Sequence, residues 1–342
     1  MLILGIETSC DDTSAAVVED GLHIRSNVIS SQIKEHSAFG GIVPEIAARK
    51  HVESIGVIIE KALDEAGVSY QDLDAIGVTA RHGLLRSIVV GAAAAKSLAY
   101  SLDIPLVGIH HIEGHIYSNC LEHGDKLAFP HICLTVSGGH TLLLLVRAIN
   151  HYELIGRTLD DAAGEVFDKI SKYLGLGFPG GPVIDRLAAE GRSDAFDFPR
   201  PMLNTDNNDF SFSGLKTAVI RAIEKAQRGG HDVSTPDVAA SFQAAAVDVL
   251  VTKTVRAARA HGLSTISVCG GVAANKGLRK AFEAQSQTEG LSVFYPRLSL
   301  CTDNGAMIAG LAYHKLQDGM QSDLRLDAHA NAPLGALKVL YK

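Results

Sequence analysis

Leu2-Ile3-Leu4-Gly5-Ile6-Glu7-Thr8-Ser9-Cys10-Asp11-Asp12-Thr13-Ser14-Ala15-Ala16-Val17-Val18-Glu19 opens the chain as two apolar runs around a polar turn. Short apolar runs bounded by turn residues read as buried strands, so residues 2–7 and 15–19 predict a hairpin. The pattern returns later: 131–136 and 141–146 are apolar runs around Ser137-Gly138-Gly139-His140. Two such hairpins, one opening each half, predict duplicated α/β lobes facing across a cleft, with each turn offering hydroxyls or backbone amides to a phosphate. Gly138 and Gly139 let the backbone approach a ligand with no Cβ in the way. Asp11 and Asp12 could position a metal-bound water or repel misplaced anions, although a solvated turn would have the same composition.

Between the hairpins, helical spacing of Val52, Ile55, Ile59 and Leu63 predicts a helix over 46–65, and 87–102 predicts another. Glu45, Arg49 and His51 read as a solvated face or as part of a substrate cleft. Residues 104–108 form a buried strand that delivers His110-His111-Ile112-Glu113-Gly114-His115 to a strand-to-helix turn. Residues four apart share a helical face, so His111 and His115 can present imidazole nitrogens to one metal ion while His110 points elsewhere. A zinc-protease motif would need glutamate directly after the first histidine, and Glu113 stands two positions on. Asp303, at the start of a helix near the far end, is the candidate third ligand, with helix capping as its other role and Asp11 or Glu113 as the fallback ligand.

In the second half, 158–165 reads as a capped helix start, with the helix running through Asp168 to 174, and Pro179-Gly180-Gly181-Pro182 reads as a turn before a helix carrying Asp185. Residues 209–217 stand out as possible loop chemistry. Cys269-Gly270-Gly271 ends a strand and opens onto Asn275, a geometry that sets glycine backbone against a flat ring.

Length and composition bound the answer. A chain of 342 residues, 46% hydrophobic, supports two lobes of ordinary domain size. The formal charge of −7 gives no global basic footprint, so contact with nucleic acid requires a local patch or a partner subunit. Five scattered cysteines without CxxC spacing fit reduced thiols. No targeting segment is visible at the start and no run reaches membrane-span length, so the sequence reads as a cytoplasmic protein.

The stretches GIETSCDDT (5–13), GGIVPEIAARKH (40–51), HHIEGH (110–115), TVSGGHT (135–141), DDAAGEVFDK (160–169), FPGGPVID (178–185), DFSFSGLKT (209–217), GGVAAN (270–275) and CTDNGAMIA (301–309) resemble the transferase family that makes threonylcarbamoyladenosine in tRNA, formerly labelled a glycoprotease. The form of 40–51 resembles its bacterial and mitochondrial branch, and the missing transit segment favours the bacterial one. The resemblance implies a two-lobed α/β fold of the actin, hexokinase and Hsp70 type around a nucleotide cleft, with 1–127 plus 304–342 as one lobe and 128–303 as the other. It implies transfer of a threonylcarbamoyl group from threonylcarbamoyl-AMP to N6 of adenosine 37 in tRNAs reading codons that begin with A. His111, His115 and Asp303 would bind one divalent metal, Fe(II) before Zn(II). Thr135, Val136, Ser137, Gly138, Gly139, Asp168, Gly181, Asp185 and Asn275 would hold the adenylate, and Asp11 and Asp12 are the catalytic candidates. The implied partners are tRNA, a paralogous subunit (TsaB-like) and a small ATPase (TsaE-like), with no membrane.

Two departures stand out. Ala80-Arg81-His82-Gly83-Leu84 replaces the family's Gly-Pro-Gly-Leu turn, and Ala244 stands where an acidic residue is usual. Two other classes compete: a small-molecule kinase or ATPase of the same fold, which would need Mg²⁺ rather than histidines, and a non-catalytic nucleotide-binding scaffold. The histidine pair discriminates, because the family's non-catalytic paralogue lacks it.

Overall fold

The computed structural model describes residues 1–230, 232–332 and 334. They divide into two compact units: Met1–Leu127, Ala148–Tyr152 and Pro296–Lys342 form the first, Ala128–Arg147 and Glu153–Tyr295 the second. Residues 333 and 335–342 of the tail lie outside the described residues.

In chain order the first unit contains β1 (Leu2–Glu7), β2 (Asp12–Glu19), β3 (His23–Ser31), α1 (Ile33–Ser37), α2 (Pro44–Ala66), β4 (Ala75–Arg81), α3 (Leu85–Leu102), β5 (Leu106–His110) and α4 (His111–His123). The second contains β6 (His131–Val136), all but the adjoining ends of β7 (Thr141–Ala148) and β8 (His151–Arg157), α5 (Ala163–Tyr173), α6 (Gly180–Ala188), α7 (Ser213–Arg228), α8 (Thr235–Ala260), β9 (Thr265–Cys269), α9 (Lys276–Glu289) and β10 (Ser292–Phe294). The chain then returns to the first unit with α10 (Leu298–Cys301) and α11 (Gly305–Gln317).

The sheets have orders β3-β2-β1-β4-β5 and β10-β9-β6-β7-β8. Read from opposite ends they are the same arrangement, an antiparallel hairpin whose first strand also pairs in parallel with a later one. The duplication expected from the two hairpins is therefore present in the backbone. The turn in the first hairpin is shorter than expected, because Asp12 already pairs with Ser31 as the first residue of β2.

The expected division at 303/304 falls instead before Pro296, so Asp303 belongs to the first unit together with the histidines. The segment is fastened there before α11 begins: Arg297 Nε donates to Glu122 Oε2 at 2.7 Å, at the end of α4. The expectation of no span-length apolar run also needs correction. Helix α8 is long and apolar enough to cross a membrane, but 83% of the apolar window is buried, which fits the core helix of the second unit.

Strand alternation sorts β1 and β4 into two faces. Leu4, Ile6, Ile76 and Val78 join the apolar cluster with Ile59 and Leu63 of α2 and Ala95 of α3. The other face presents Gly5 and Gly77, which are register partners. A Cβ on Gly5 would collide with the Gly305 carbonyl and the Ala309 backbone, and one on Gly77 would lie 2.7 Å from Ala312 Cβ. The two glycines thus let α11 lie directly on the strands. A second tier repeats the device: Gly114 of α4 faces Met307 and Ile308, and Gly310 of α11 faces the Tyr117 ring. Sheet, α11 and α4 are stacked at glycine distance, and this spacing sets where their side chains meet.

Gly5→Ala is expected to cost about 1–3 kcal/mol through overpacking. Gly56→Ala, at a helical position with open space around it, is expected to gain about 0.5–1 kcal/mol. Urea denaturation of the two variants reads the opposite signs.

Candidate metal centre and phosphate turn

Strand β5 runs buried to His110, and α4 starts at the next residue. His110 caps that helix, accepting from Ile112 N at 3.2 Å, while its Nε2 faces Ala332 O at 3.0 Å. Burial pushes its pKa down to about 3, so it is a neutral structural residue pointing away from the pair. His111 and His115, one turn apart, meet edge to face with ring centroids 4.6 Å apart.

The N-cap of α11 is Asn304, whose side chain accepts from Met307 N at 3.0 Å. The capping role considered for Asp303 is thus filled by its neighbour. Asp303 instead turns Oδ1 toward His115 Nε2 at 3.1 Å and His111 Nε2 at 3.6 Å. One donor atom from each of these three residues lies within 4.8 Å of the others, a group that could hold a metal ion. Two imidazole nitrogens and a carboxylate oxygen converging on one point suit a divalent transition metal with open positions. Glu113, the fallback ligand, faces elsewhere in a fully buried ion pair with Lys315 of α11 at 2.8 Å.

On its other side His111 meets Glu7. Its Nδ1 lies 3.1 Å from Glu7 Oε2 and 3.0 Å from Ser9 Oγ. Glu7 has no solvent exposure and accepts from Thr79 Oγ1 at 2.6 Å and from Ser9 N. Alternation explains the aim, because Glu7 and Thr79 follow Gly5 and Gly77 by two residues and share their face. Sequence reading missed Glu7; the signal was a carboxylate inside an otherwise apolar strand.

Burial alone would lower the His111 pKa, but the Asp303 and Glu7 carboxylates outweigh it and raise it to about 9. Glu7 shows the reciprocal effect: burial raises its pKa, and the charge and hydrogen bond of His111 bring it below the ordinary value. The chain by itself therefore places a proton between the buried Glu7 carboxylate and the half-buried one of Asp303.

Asp11 and Asp12 lie in the same unit. Burial, followed by the charge of Asp303, raises both pKa values, that of Asp12 to about 7. Asp12 Oδ1 is buried and makes no hydrogen bond. The turn carrying them is held from behind by His51, which is buried rather than solvated: Nε2 faces Cys10 O at 3.0 Å and Nδ1 faces Thr13 Oγ1 at 2.8 Å. Gln32 N adds a bond to Asp11 O at 3.1 Å.

The second unit holds the other expected residues in a closed circuit. Thr135 and Val136 are buried in β6, and Thr135 Oγ1 lies 3.3 Å from Sγ of Cys269, its register partner on β9. Ser137 N bonds His140 O at 2.9 Å and Ser137 O receives Gly164 N at 3.2 Å, while Gly138 and Gly139 are exposed with open space around them. From Gly164 the circuit runs along α5 to Asp168, whose Oδ1 accepts from Gly180 N at 2.6 Å where α6 begins. Residues 180–182, expected as a turn, are the first turn of α6, and Gly181 has open space beside it. Asp185 of α6 accepts from Lys276 N and Gly277 N at 3.1 and 3.3 Å. Asn275 caps α9 through Leu278 N at 2.8 Å and donates to Gln243 Oε1 at 2.7 Å. Gly270, at φ +89°, closes the ring against the Val136 carbonyl. In the stretch 209–217, Phe212 N and Ser213 Oγ donate to Asp160 at 2.8 and 2.7 Å where α7 begins. Thr158 is one turn too early to cap α5 and bonds Asp161 O instead.

A family model described as tRNA N6-adenosine threonylcarbamoyltransferase matches residues 23–310. The chain belongs to this family. Relatives bearing that description include proteins of Syntrophotalea carbinolica, 54% identical over 98% of this chain and 97% of the relative, and Clostridium perfringens, 48% identical over 98% of each. A Bacillus thuringiensis relative is 50% identical over 98% of this chain and 97% of its own length. Family membership carries the activity that the description states, threonylcarbamoyl transfer to N6 of an adenosine in tRNA. Among solved structures, T.kodakarensis HypF (TM-score 0.61, 16% identity, 93% of this chain and 48% of that one) and component A of the Acidaminococcus fermentans (R)-2-hydroxyglutaryl-CoA dehydratase (TM-score 0.54, 16% identity, 93% and 99%) share the fold. The fold class is the expected α/β one of the actin, hexokinase and Hsp70 type.

Two groups set a pH dependence for the metal-free protein. His111 holds its proton to about 9 rather than its ordinary 6.5, so its contribution is present below 6.5 and lost as pH rises through about 9. Asp12, raised from 3.8 to about 7, likewise holds a proton that the unfolded chain releases, and it loses stability over that range. Both slopes have the same sign. A bound cation replaces the His111 proton, so Zn(II) is expected to raise the melting temperature more at pH 8 than at pH 6. Differential scanning fluorimetry with and without metal reads the difference.

Proposed function

We propose that the chain transfers the threonylcarbamoyl group of threonylcarbamoyl-AMP to N6 of adenosine 37 in tRNAs reading codons that begin with A, with a divalent metal at His111, His115 and Asp303. The convergence of both Nε2 atoms on Asp303 Oδ1 carries the reading. A kinase or ATPase of the same fold has no use for such a donor set beside its phosphates, and a scaffold has no use for it at all.

The N6 amine attacks the carbamoyl carbonyl, the bond from that carbon to the adenylate oxygen breaks, AMP departs, and one amine proton passes to a base. A metal held by His111, His115 and Asp303 supplies Lewis acidity toward oxygen charge. Asp12 is the preferred base over Asp11, since a carboxyl poised near neutrality accepts a proton at working pH. The open backbone of Gly138 and Gly139 receives phosphate oxygens by its amides, beside Ser137, whose own amide is spent on His140 O, and Gly181 offers room at the start of α6. Asp168, Asp185 and Asn275 keep those segments in register, and Thr135 and Val136 anchor the turn through β6.

Fe(II) is the first choice of metal over Zn(II). The reaction's two tasks are assigned to the two compact units, the metal group to the first and the adenylate to the second. The net charge of −7 offers little to a polyanion, which fits work with a paralogous subunit and a small ATPase in the cytoplasm.

The deciding assay supplies unmodified tRNA, threonine, bicarbonate, ATP and the adenylate-forming enzyme, with the partner subunits, and analyses nucleosides with and without this protein. Threonylcarbamoyladenosine is expected only in its presence, and transfer of γ-phosphate to a small alcohol instead would favour the kinase reading. Asp303→Asn is expected to lower metal content and activity at least tenfold while leaving the α11 cap intact, because Asn304 supplies it, and to cost metal-free stability only in the pH range where His111 is protonated. Asn304→Ala is expected to cost about 1 kcal/mol. Metal analysis and thermal unfolding of the pair separate ligand from cap.

A further inference from the structure

We propose that Glu7 is a positioning residue for the metal, fixing the ring of His111 and completing the charge balance of the site. The inference rests on the metal reading above and assigns a role to a residue outside that ligand set. The two histidines differ in what stands behind them. His111 Nδ1 faces Glu7 Oε2 at 3.1 Å, whereas His115 Nδ1 is buried and makes no hydrogen bond. With Nε2 turned toward Asp303, the Nδ1 proton of His111 is donated to Glu7, with Ser9 Oγ at 3.0 Å as a second acceptor, and this fixes both tautomer and ring orientation.

Glu7 is itself rigidly held, since Thr79 Oγ1 and Ser9 N donate to its two oxygens and both neighbours are buried. A fully buried carboxylate is costly without a compensating charge. Glu7 and Asp303 together supply two negative charges around neutral imidazoles, which matches a divalent cation with none left over. Without Glu7, the same cation would sit in this buried place with a net positive charge.

The test uses the full chain stripped of metal and measures Zn(II) affinity by chelator competition and Co(II) binding by its d–d absorption. Glu7→Gln keeps the length of the side chain and an acceptor for Thr79 or Ser9 but removes the charge. It is expected to weaken Zn(II) binding by about 10- to 100-fold and to alter the Co(II) spectrum, while the metal-free protein still folds. Thr79→Val, which leaves the carboxylate but removes one donor that aims it, is expected to shift affinity in the same direction by less. A Gln variant that binds Zn(II) within twofold of the parent overturns the proposal. If the Gln variant fails to fold, Thr79→Val decides, and a Zn(II) affinity there equal to the parent's overturns the proposal. A parent chain that gives no Co(II) spectrum and no Zn(II) binding overturns the metal reading itself, a result distinct from either of these.

Discussion

The first unit depends on how closely α11 can approach β1 and β4. Where Gly5 and Gly77 lie side by side, a single methyl group would meet the backbone or Cβ atoms of α11. Helix α4 then closes on α11 through Gly114 and Gly310. These contacts gain dispersion energy in a dense core, but their larger consequence is positional. They set Asp303, just before α11, beside histidines in the first two turns of α4, and they leave the same face of β1 and β4 free to present Glu7 and Thr79 two residues further on. A metal group needs donors placed to within tenths of an ångström, and close backbone contact supplies a stiffer spacer than long side chains can.

Electrostatics follows from that placement. Two carboxylates are brought into a buried region with two imidazoles, and the chain meets the demand for positive charge by keeping a proton on His111. The same negative field reaches Asp11 and Asp12 and resists their ionisation. A site that holds a proton against burial is prepared to exchange it for a cation, and metal binding is thereby linked to pH.

The second unit uses its carboxylates differently. Asp168 and Asp185 spend oxygens on backbone amides where α6 and α9 begin, and Asn275 caps α9. Each bond satisfies a donor that the helix cannot satisfy internally. With the Gly164 N–Ser137 O bond at the start of α5, they connect the starts of α5, α6 and α9 to the glycine turn after β6. Residues of this kind shape the glycine turn through the backbone they hold, even where their own polar atoms are already engaged.

Much of this was legible in the chain. Apolar runs of strand length around polar or glycine turns announced the duplicated sheets, because strand burial requires such runs and the turns require small or polar residues. The spacing of His111 and His115 announced a shared helical face, because that depends only on helix geometry. Other features depended on contacts across long sequence separations. The chain could not show that Asn304 rather than Asp303 caps α11, since adjacent polar residues can exchange that duty within one residue of a helix boundary. It did not reveal that Asp303 joins the histidines in one unit, which rests on the Arg297–Glu122 tie and the glycine seat of α11. Nor did it single out Glu7, 104 residues from His111, or the burial of His51 behind the Asp11–Asp12 turn. Sequence periodicity fixes the direction a side chain takes from its own element; only the packing of elements decides what it meets there.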